Sequence, residues 1–316
     1  MTSRSTRFTL AALLIVGSAQ TIAQSQWAVS PAWSQARDSD GLVVDKWAAR
    51  AYPQYRSGLE WQGVEWKQQR YTQNGTTLTG QGVNYVAQNL SALSGMGYAY
   101  KVGVNQGPQR TLMTGDVSWN EAINEQVQWG LFASRDWVES LPALQNHVHY
   151  DLVGANVDYR VHPRVTVIGS LAQTRFSDGQ DRQQQRARAI WDAWPEQGVT
   201  LQWSQKHQLG EKDVAQRLYF NPERLDESMG LLGWRRKFQG WQWYARLGRG
   251  QQRIANEGST PARLAELELS SPIHGVSFFK IRAGQSETFG YYQQGNYGPG
   301  YVYRYVDAQW MVQLGR

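Results

Sequence analysis

The sequence predicts an all-β protein, a single antiparallel transmembrane β-barrel of about sixteen strands. Three observations carry that expectation. Short segments with a two-residue alternation recur along the chain, divided by turn signals, and strands place successive side chains on opposite faces. Fifteen Trp and sixteen Tyr are present, and these residues gather where hydrocarbon meets water, in barrels as two aromatic girdles. The chain also opens with an export-type leader.

The leader comes first. Arg4 and Arg7 are basic, Phe8 to Val16 is apolar apart from Thr9, and Gly17, Ser18 and Ala19 follow. Thr21-Ile22-Ala23 fits a small-x-small cleavage site before Gln24. That order is a secretory signal peptide over residues 1–23, leaving 24–316 as the barrel. A buried N-terminal helix is the alternative. The apolar run is shorter than the about 20 residues a spanning helix needs, and no later segment approaches that length.

Composition narrows the class. The chain has no Cys, so it has neither disulfides nor thiolate metal sites, which suits passage through an oxidising compartment. Net charge is +6, or +4 once Arg4 and Arg7 are removed. A pI near 9.4 invites a nucleic-acid reading. Charged residues are only 18% of the chain, however, and the one dense basic run is Arg235-Arg236-Lys237. Nucleic-acid binders cluster their basic residues, so no nucleic-acid partner is expected. Mean hydropathy of −0.58 agrees with strands that meet lipid at every second residue.

The alternation is clearest in five segments. Tyr98, Tyr100, Val102 and Val104 alternate with Ala99, Lys101, Gly103 and Asn105. Val165, Val167, Gly169 and Leu171 alternate with Thr166, Ile168, Ser170 and Ala172, a more ambiguous alternation. Leu232, Trp234, Arg236 and Phe238 share one face, with Arg236 near enough to a strand end to snorkel. Trp241, Trp243, Ala245 and Leu247 share another, as do Phe279, Ile281 and Ala283.

Turn signals separate the segments: Asp38 to Gly41, Asn74-Gly75, Gly107-Pro108, His162-Pro163, Asp178-Gly179, Gln239-Gly240 and Tyr297 to Gly300. Short turns alternate with long loops, such as Glu211 to Pro222, Ala255 to Pro261 and Tyr291 to Gly300. Outer-membrane barrels show that asymmetry, with short turns on the periplasmic side. Strand centres are expected near Ala32, Trp47, Trp66, Val83, Val102, Val117, Trp129, Val153, Ile168, Ile190, Trp203, Leu232, Tyr244, Leu267, Ile281 and Val306. Sixteen strands in 293 residues allow roughly 18 residues each with its connection; twelve or fourteen also fit. A secreted β-sandwich or double barrel is the soluble alternative.

Tyr219-Phe220-Asn221-Pro222-Glu223-Arg224, just ahead of the strand at Leu232, resembles a motif of exopolysaccharide-export barrels. The C-terminal barrel of the poly-N-acetylglucosamine export porin is the nearest likeness, with the cellulose-export barrel and the YaiO-type barrels similar in style. Ser34 to Gly41 resembles the first hairpin of such barrels. The resemblance implies a wide outer-membrane barrel through which a polysaccharide leaves the cell. Large exporters precede the barrel with a helical repeat scaffold; here the strand pattern starts soon after Ala23, a departure from that pattern, so either a partner scaffold or synthase complex supplies it or the barrel does something narrower. The chain also ends Leu314-Gly315-Arg316, without the terminal aromatic of many such barrels.

Candidate path residues are Arg235, Lys237, Tyr244, Arg246, Glu266, Glu268, Lys280 and Arg282, which share the polar face in this register. They form either a mixed-charge, aromatic passage for a sugar chain or cross-lumen pairs of structural value. A one-residue slip turns them all outward. In the motif, Tyr219, Phe220, Asn221, Pro222 and Arg224 serve either local packing, with Arg224 on a carboxylate, or the pore mouth.

No enzyme and no cofactor are expected. The chain holds no Gly-x-Ser-x-Gly elbow and no His-Glu-x-x-His. His147 and His149, two apart with Asp151 nearby, give a thin metal signal. His274 and Ser277, three apart, fall on opposite strand faces. The expected function is an outer-membrane conduit or accessory for secretion of a surface polysaccharide; a plugged structural barrel and a lipid- or glycan-modifying enzyme are the alternatives.

Overall fold

The computed structural model describes residues 26–91, 94–210, 218–255, 258–272, 276–288, 292–293, 296–297 and 301–314. The leader at 1–23 lies outside the described residues, as do His274 and most of the loops at 211–217 and 289–300.

The strands are β1 (Gln26–Asp38), β2 (Val43–Ser57), β3 (Glu60–Gln73), β4 (Thr76–Leu90), β5 (Gly97–Gln106), β6 (Thr111–Ala122), β7 (Val127–Trp137) and β8 (His149–His162). There follow β9 (Val165–Phe176), β10 (Asp181–Trp194), β11 (Val199–Gly210), β12 (Arg224–Phe238), β13 (Trp241–Ile254), β14 (Thr260–Ser270) and β15 (Ser277–Thr288). Two two-residue strands, β16 (Tyr292–Gln293) and β17 (Asn296–Tyr297), pair with each other, and β18 (Tyr301–Leu314) is last.

Among the described residues, sixteen strands form one closed antiparallel barrel, each paired to its sequence neighbours, with β18 returning to β1. Closure leaves no edge with unpaired backbone groups, the condition for a sheet to sit in hydrocarbon. All sixteen centres read from the sequence fall inside barrel strands.

The turns explain the registry. Asn74-Gly75 and Gln239-Gly240 are two-residue turns with both residues at positive φ, 49° and 79° in the first, 49° and 83° in the second. That backbone matches the twist of the strands it joins, and glycine adopts it without strain. At Gly198, φ is 71° and a Cβ would lie 1.7 Å from the Arg235 carbonyl oxygen, so only glycine closes the β10–β11 turn.

The two ends differ. One closes with short connections, among them 58–59, 163–164 and 239–240; the other carries 138–148, 211–223 and 289–300. Below they are the turn end and the loop end.

Register separates inside from outside. Glu65, Lys67, Lys101 and Asp136 lie on one face, and they meet across strands that are not neighbours in the sheet: Lys101 of β5 approaches Glu65 of β3 at 3.8 Å, and Lys67 of β3 approaches Asp136 of β7 at 3.6 Å. Such contacts run through the barrel interior. The opposite face holds Val102, Val104, Leu171, Leu247 and Leu267, all exposed, and presents the apolar band. Outward aromatics gather at the turn end, with Trp27, Trp119, Trp129, Trp191 and Trp241 among them. Toward the loop end, the outward aromatics among the described residues include Trp33, Trp47 and Trp66 on β1–β3. Beyond these, outward positions carry Gln35, Arg37, Gln68 and Arg70, so at the loop end long polar side chains border the apolar band. Arg236, on the outward face, reaches past the turn end: its guanidinium donates to Gln197 Oε1 at 2.9 Å.

Candidate functional site

All eight candidate residues, Arg235 to Arg282, lie on the inner wall. On β12 and β13, Arg235 stacks over the Tyr244 ring, its guanidinium carbon 5.3 Å from the centroid. Arg246 donates to Glu266 from Nε at 2.9 Å, and Glu266 also accepts from Tyr305 at 3.0 Å. Lys280 pairs with Glu268 at 3.0 Å, and Arg282 with Asp307 at 3.2 Å. Arg282 also lies over Tyr305, 5.1 Å from its centroid. Tyr303 lies two residues before Tyr305 on β18, ring centroids 6.0 Å apart. Lys237, at the turn end of β12, has no ion-pair partner among the described residues. The result is a strip of cross-strand charge pairs bordered by tyrosine rings.

The facing wall is tighter. Glu65, only 1% exposed, accepts from Arg50 Nε at 2.6 Å and from Asn84 at 3.0 Å, with Lys101 at 3.8 Å. The sequence reading passed over Arg50, Glu65 and Lys67, although Glu65, Lys67 and Gln69 alternate with Val64, Trp66 and Gln68 and carry the same signal. A cavity of about 460 Å³ lies between the walls, lined by Lys46, Arg50, Lys67, Lys101, Lys280 and Arg282 against Glu65, Asp136 and Asp307. Replacing Glu65 with Gln leaves two cations facing each other without their carboxylate. The change is expected to cost about 2–3 kcal/mol, below the full value for a buried pair because Arg50 and Lys101 remain partly wet. Urea titration of the refolded barrel measures it.

A beam crosses the loop-end mouth. Ser140 caps the short helix α1 (Leu141–Gln145): Ala143 N–H donates to Ser140 Oγ at 3.3 Å and Pro142 occupies the first turn. Leu141 and Leu144 pack on Leu42, Val44, Tyr71 and Leu112, and Glu139 pairs with Lys46 of β2. The segment between β7 and β8 therefore reaches the wall at β2–β3, which it can do only across the interior. On its other side, Val138, Ala143 and Val148 pack with Phe176, Leu218 and Tyr219, and Ser140 donates to the Leu218 carbonyl at 2.5 Å. In the sequence, Ser140-Leu141-Pro142 and the Leu141/Leu144 spacing are the signal for this capped turn.

The Tyr219 motif joins this beam. Asn221 is buried, accepting from Arg182 Nε at 3.0 Å and donating to the Asp181 carbonyl at 3.3 Å. Arg182 also donates to the Phe220 carbonyl at 2.6 Å and lies over the Phe176 ring. Tyr219 stacks near Phe176, ring centroids 4.5 Å apart, and donates to Asp178 at 2.9 Å. Pro222 is fully buried. Arg224 points outward and pairs with Asp226 at 2.6 Å. The motif thus ties the loop to β9 and β10 at the mouth.

The histidine signal is corrected. His147 stands in the loop with φ 57°, and only His149 is on a strand, where it contacts Arg135 at 3.1 Å. The left-handed residue breaks the alternation, so the two rings do not share a face. Among the described residues no group of three ligand-type side chains could hold a metal ion. On the outward face, His207 meets Asp226 at 2.5 Å. Ser228, the next outward position on β12, accepts from Trp203 Nε1 at 3.1 Å.

A closed sixteen-strand barrel with a lipid-compatible exterior and a charged interior defines the class: an outer-membrane β-barrel. No protein-family model and no curated protein sequence matches the chain. The barrel is similar to the solved structure of a bacterial polysaccharide outer membrane secretin, with TM-score 0.67 and 12% identity over 92% of this chain and 99% of that one. It is more distantly similar to OccK5 of Pseudomonas aeruginosa (TM-score 0.45, 9% identity, 92% and 98% covered) and to the KdgM porin in complex with disordered oligogalacturonate (0.40, 6%, 90% and 99%).

Proposed function

We propose that this barrel is the conduit by which a surface polysaccharide leaves the cell. The observation that carries the reading is the inner strip of Tyr244, Tyr303 and Tyr305 beside Arg246–Glu266 and Arg282–Asp307. Ring faces stack on sugar rings, and charged groups bind hydroxyls in a hydrated path. The likeness in fold to a polysaccharide secretin supports it. The loop end faces the exterior, as in other outer-membrane barrels. The barrel supplies no driving force; a periplasmic scaffold or synthase complex would deliver the chain.

A plugged structural barrel is the second reading, favoured by the beam at 138–148. Proteoliposomes loaded with a fluorescent linear oligosaccharide separate the two. A conduit releases the sugar at a rate proportional to the protein incorporated. A barrel that retains the oligosaccharide as fully as empty liposomes do is not a sugar conduit.

A further inference from the structure

The inner wall at β10 and β11 holds more positive charge than the carboxylates beside it can balance: three cations that make no ion pair among the described residues lie together, with Glu227 of β12 as their register neighbour. Arg182, Arg186 and Arg188 face inward from β10, and Lys206 faces inward from β11. Arg186 and Lys206 are direct cross-strand partners, an arrangement in which like charges repel. The inner wall elsewhere sets opposite signs together: Arg50 opposes Glu65, Arg246 opposes Glu266, and Arg282 lies between Glu268 and Asp307.

Arg182 is taken up by Asn221 and the Phe220 carbonyl. Among the described residues, Arg186, Arg188 and Lys206 make no ion pair, although Glu227 lies opposite Lys206 in register. On the β9 side their register partners are Ser170 and Ile168, which carry no charge. Arg186 is exposed to the interior. A local rule broken this way, with one carboxylate beside three cations, marks a place where a ligand supplies the missing charge.

Resting on the conduit reading, we propose that the polymer is an anionic polysaccharide, one whose sugars carry carboxylate or other acid groups, and that Arg186, Arg188 and Lys206 line its track. Same-face positions on a strand repeat about every 6.8 Å, so Arg186 and Arg188 offer successive guanidinium forks to acid groups along one chain. Charge of one sign on a low-dielectric wall also concentrates the opposite sign in the lumen.

The test is block of single-channel current by linear oligogalacturonate and by an uncharged maltooligosaccharide of equal length. The wild type is compared with the triple variant Arg186→Gln, Arg188→Gln, Lys206→Gln. The triple change removes repulsion from the wall, so the barrel is expected to fold; the single variant Lys206→Gln serves if it does not. The wild type should be blocked by the uronate at a roughly tenfold lower concentration than by the neutral sugar, the effect of one charge-assisted contact. The variant should bring the two together. Equal block of the wild type by both sugars overturns the anionic assignment and leaves the conduit. Steady current that neither sugar blocks overturns the conduit reading itself. A uronate preference that survives the triple change overturns the role of these three residues.

Discussion

Replacing Leu247 with arginine is expected to lower the unfolding free energy of the barrel by about 2–4 kcal/mol in lipid bilayers. Leu247 stands mid-strand on β13, facing out, and is 59% exposed. Its outward register neighbours are Leu232 and Ala265. In a membrane that exposure is to hydrocarbon, and a guanidinium at the middle of the apolar band must drag water in or tilt toward a headgroup. In a soluble protein the same side chain is an isolated surface leucine, and the change stays within about 0.5 kcal/mol. The measurement is denaturant titration in vesicles of the variant and the wild type. The effect therefore reports on the environment of the outer face, and a near-zero change contradicts the transmembrane placement.

Exchanging residues 139–147 for a short glycine-serine turn is expected to raise single-channel conductance severalfold. The exchange removes the Glu139–Lys46 pair and the Leu141 and Leu144 contacts on the far wall, and with them the beam across the loop-end mouth. The sixteen-strand hydrogen-bond cycle does not depend on that segment, so the barrel should still close. Conductance through a wetted pore is limited by its narrowest section. An unchanged conductance places the constriction elsewhere, on the paired charges of the wall.

Most of the fold could be read from period-two alternation because the barrel solves one problem sixteen times. β5 and β13 are legible because Tyr98 to Val104 and Trp241 to Leu247 meet lipid while Lys101, Tyr244 and Arg246 meet water. The same register places all eight candidate residues on the inner wall, since a face holding Arg246 and Glu266 cannot be the hydrocarbon face. β10 was harder. Gln183, Gln185 and Ala187 face out beside Arg182, Arg186 and Arg188 facing in, so neither face is distinctly apolar and the cation track gave no periodic contrast. The beam was not legible as a beam, because Leu141 and Leu144 have their partners on β2, β3 and β6, about seventy or more residues away on the first two. Spacing along a loop carries no record of which wall it reaches. The approach of Lys101 to Glu65 is likewise set by the curvature of the closed barrel, which brings β5 to β3 through the interior, whereas Arg50 meets Glu65 across the β2–β3 hairpin.

The most direct test of the central claim, that this is an open and hydrated outer-membrane channel, is single-channel recording of the refolded chain in a planar bilayer. Discrete insertion steps with a steady conductance at low voltage are expected. Stable insertion, shown by protease protection of the strands, with no current above the bare bilayer would contradict it.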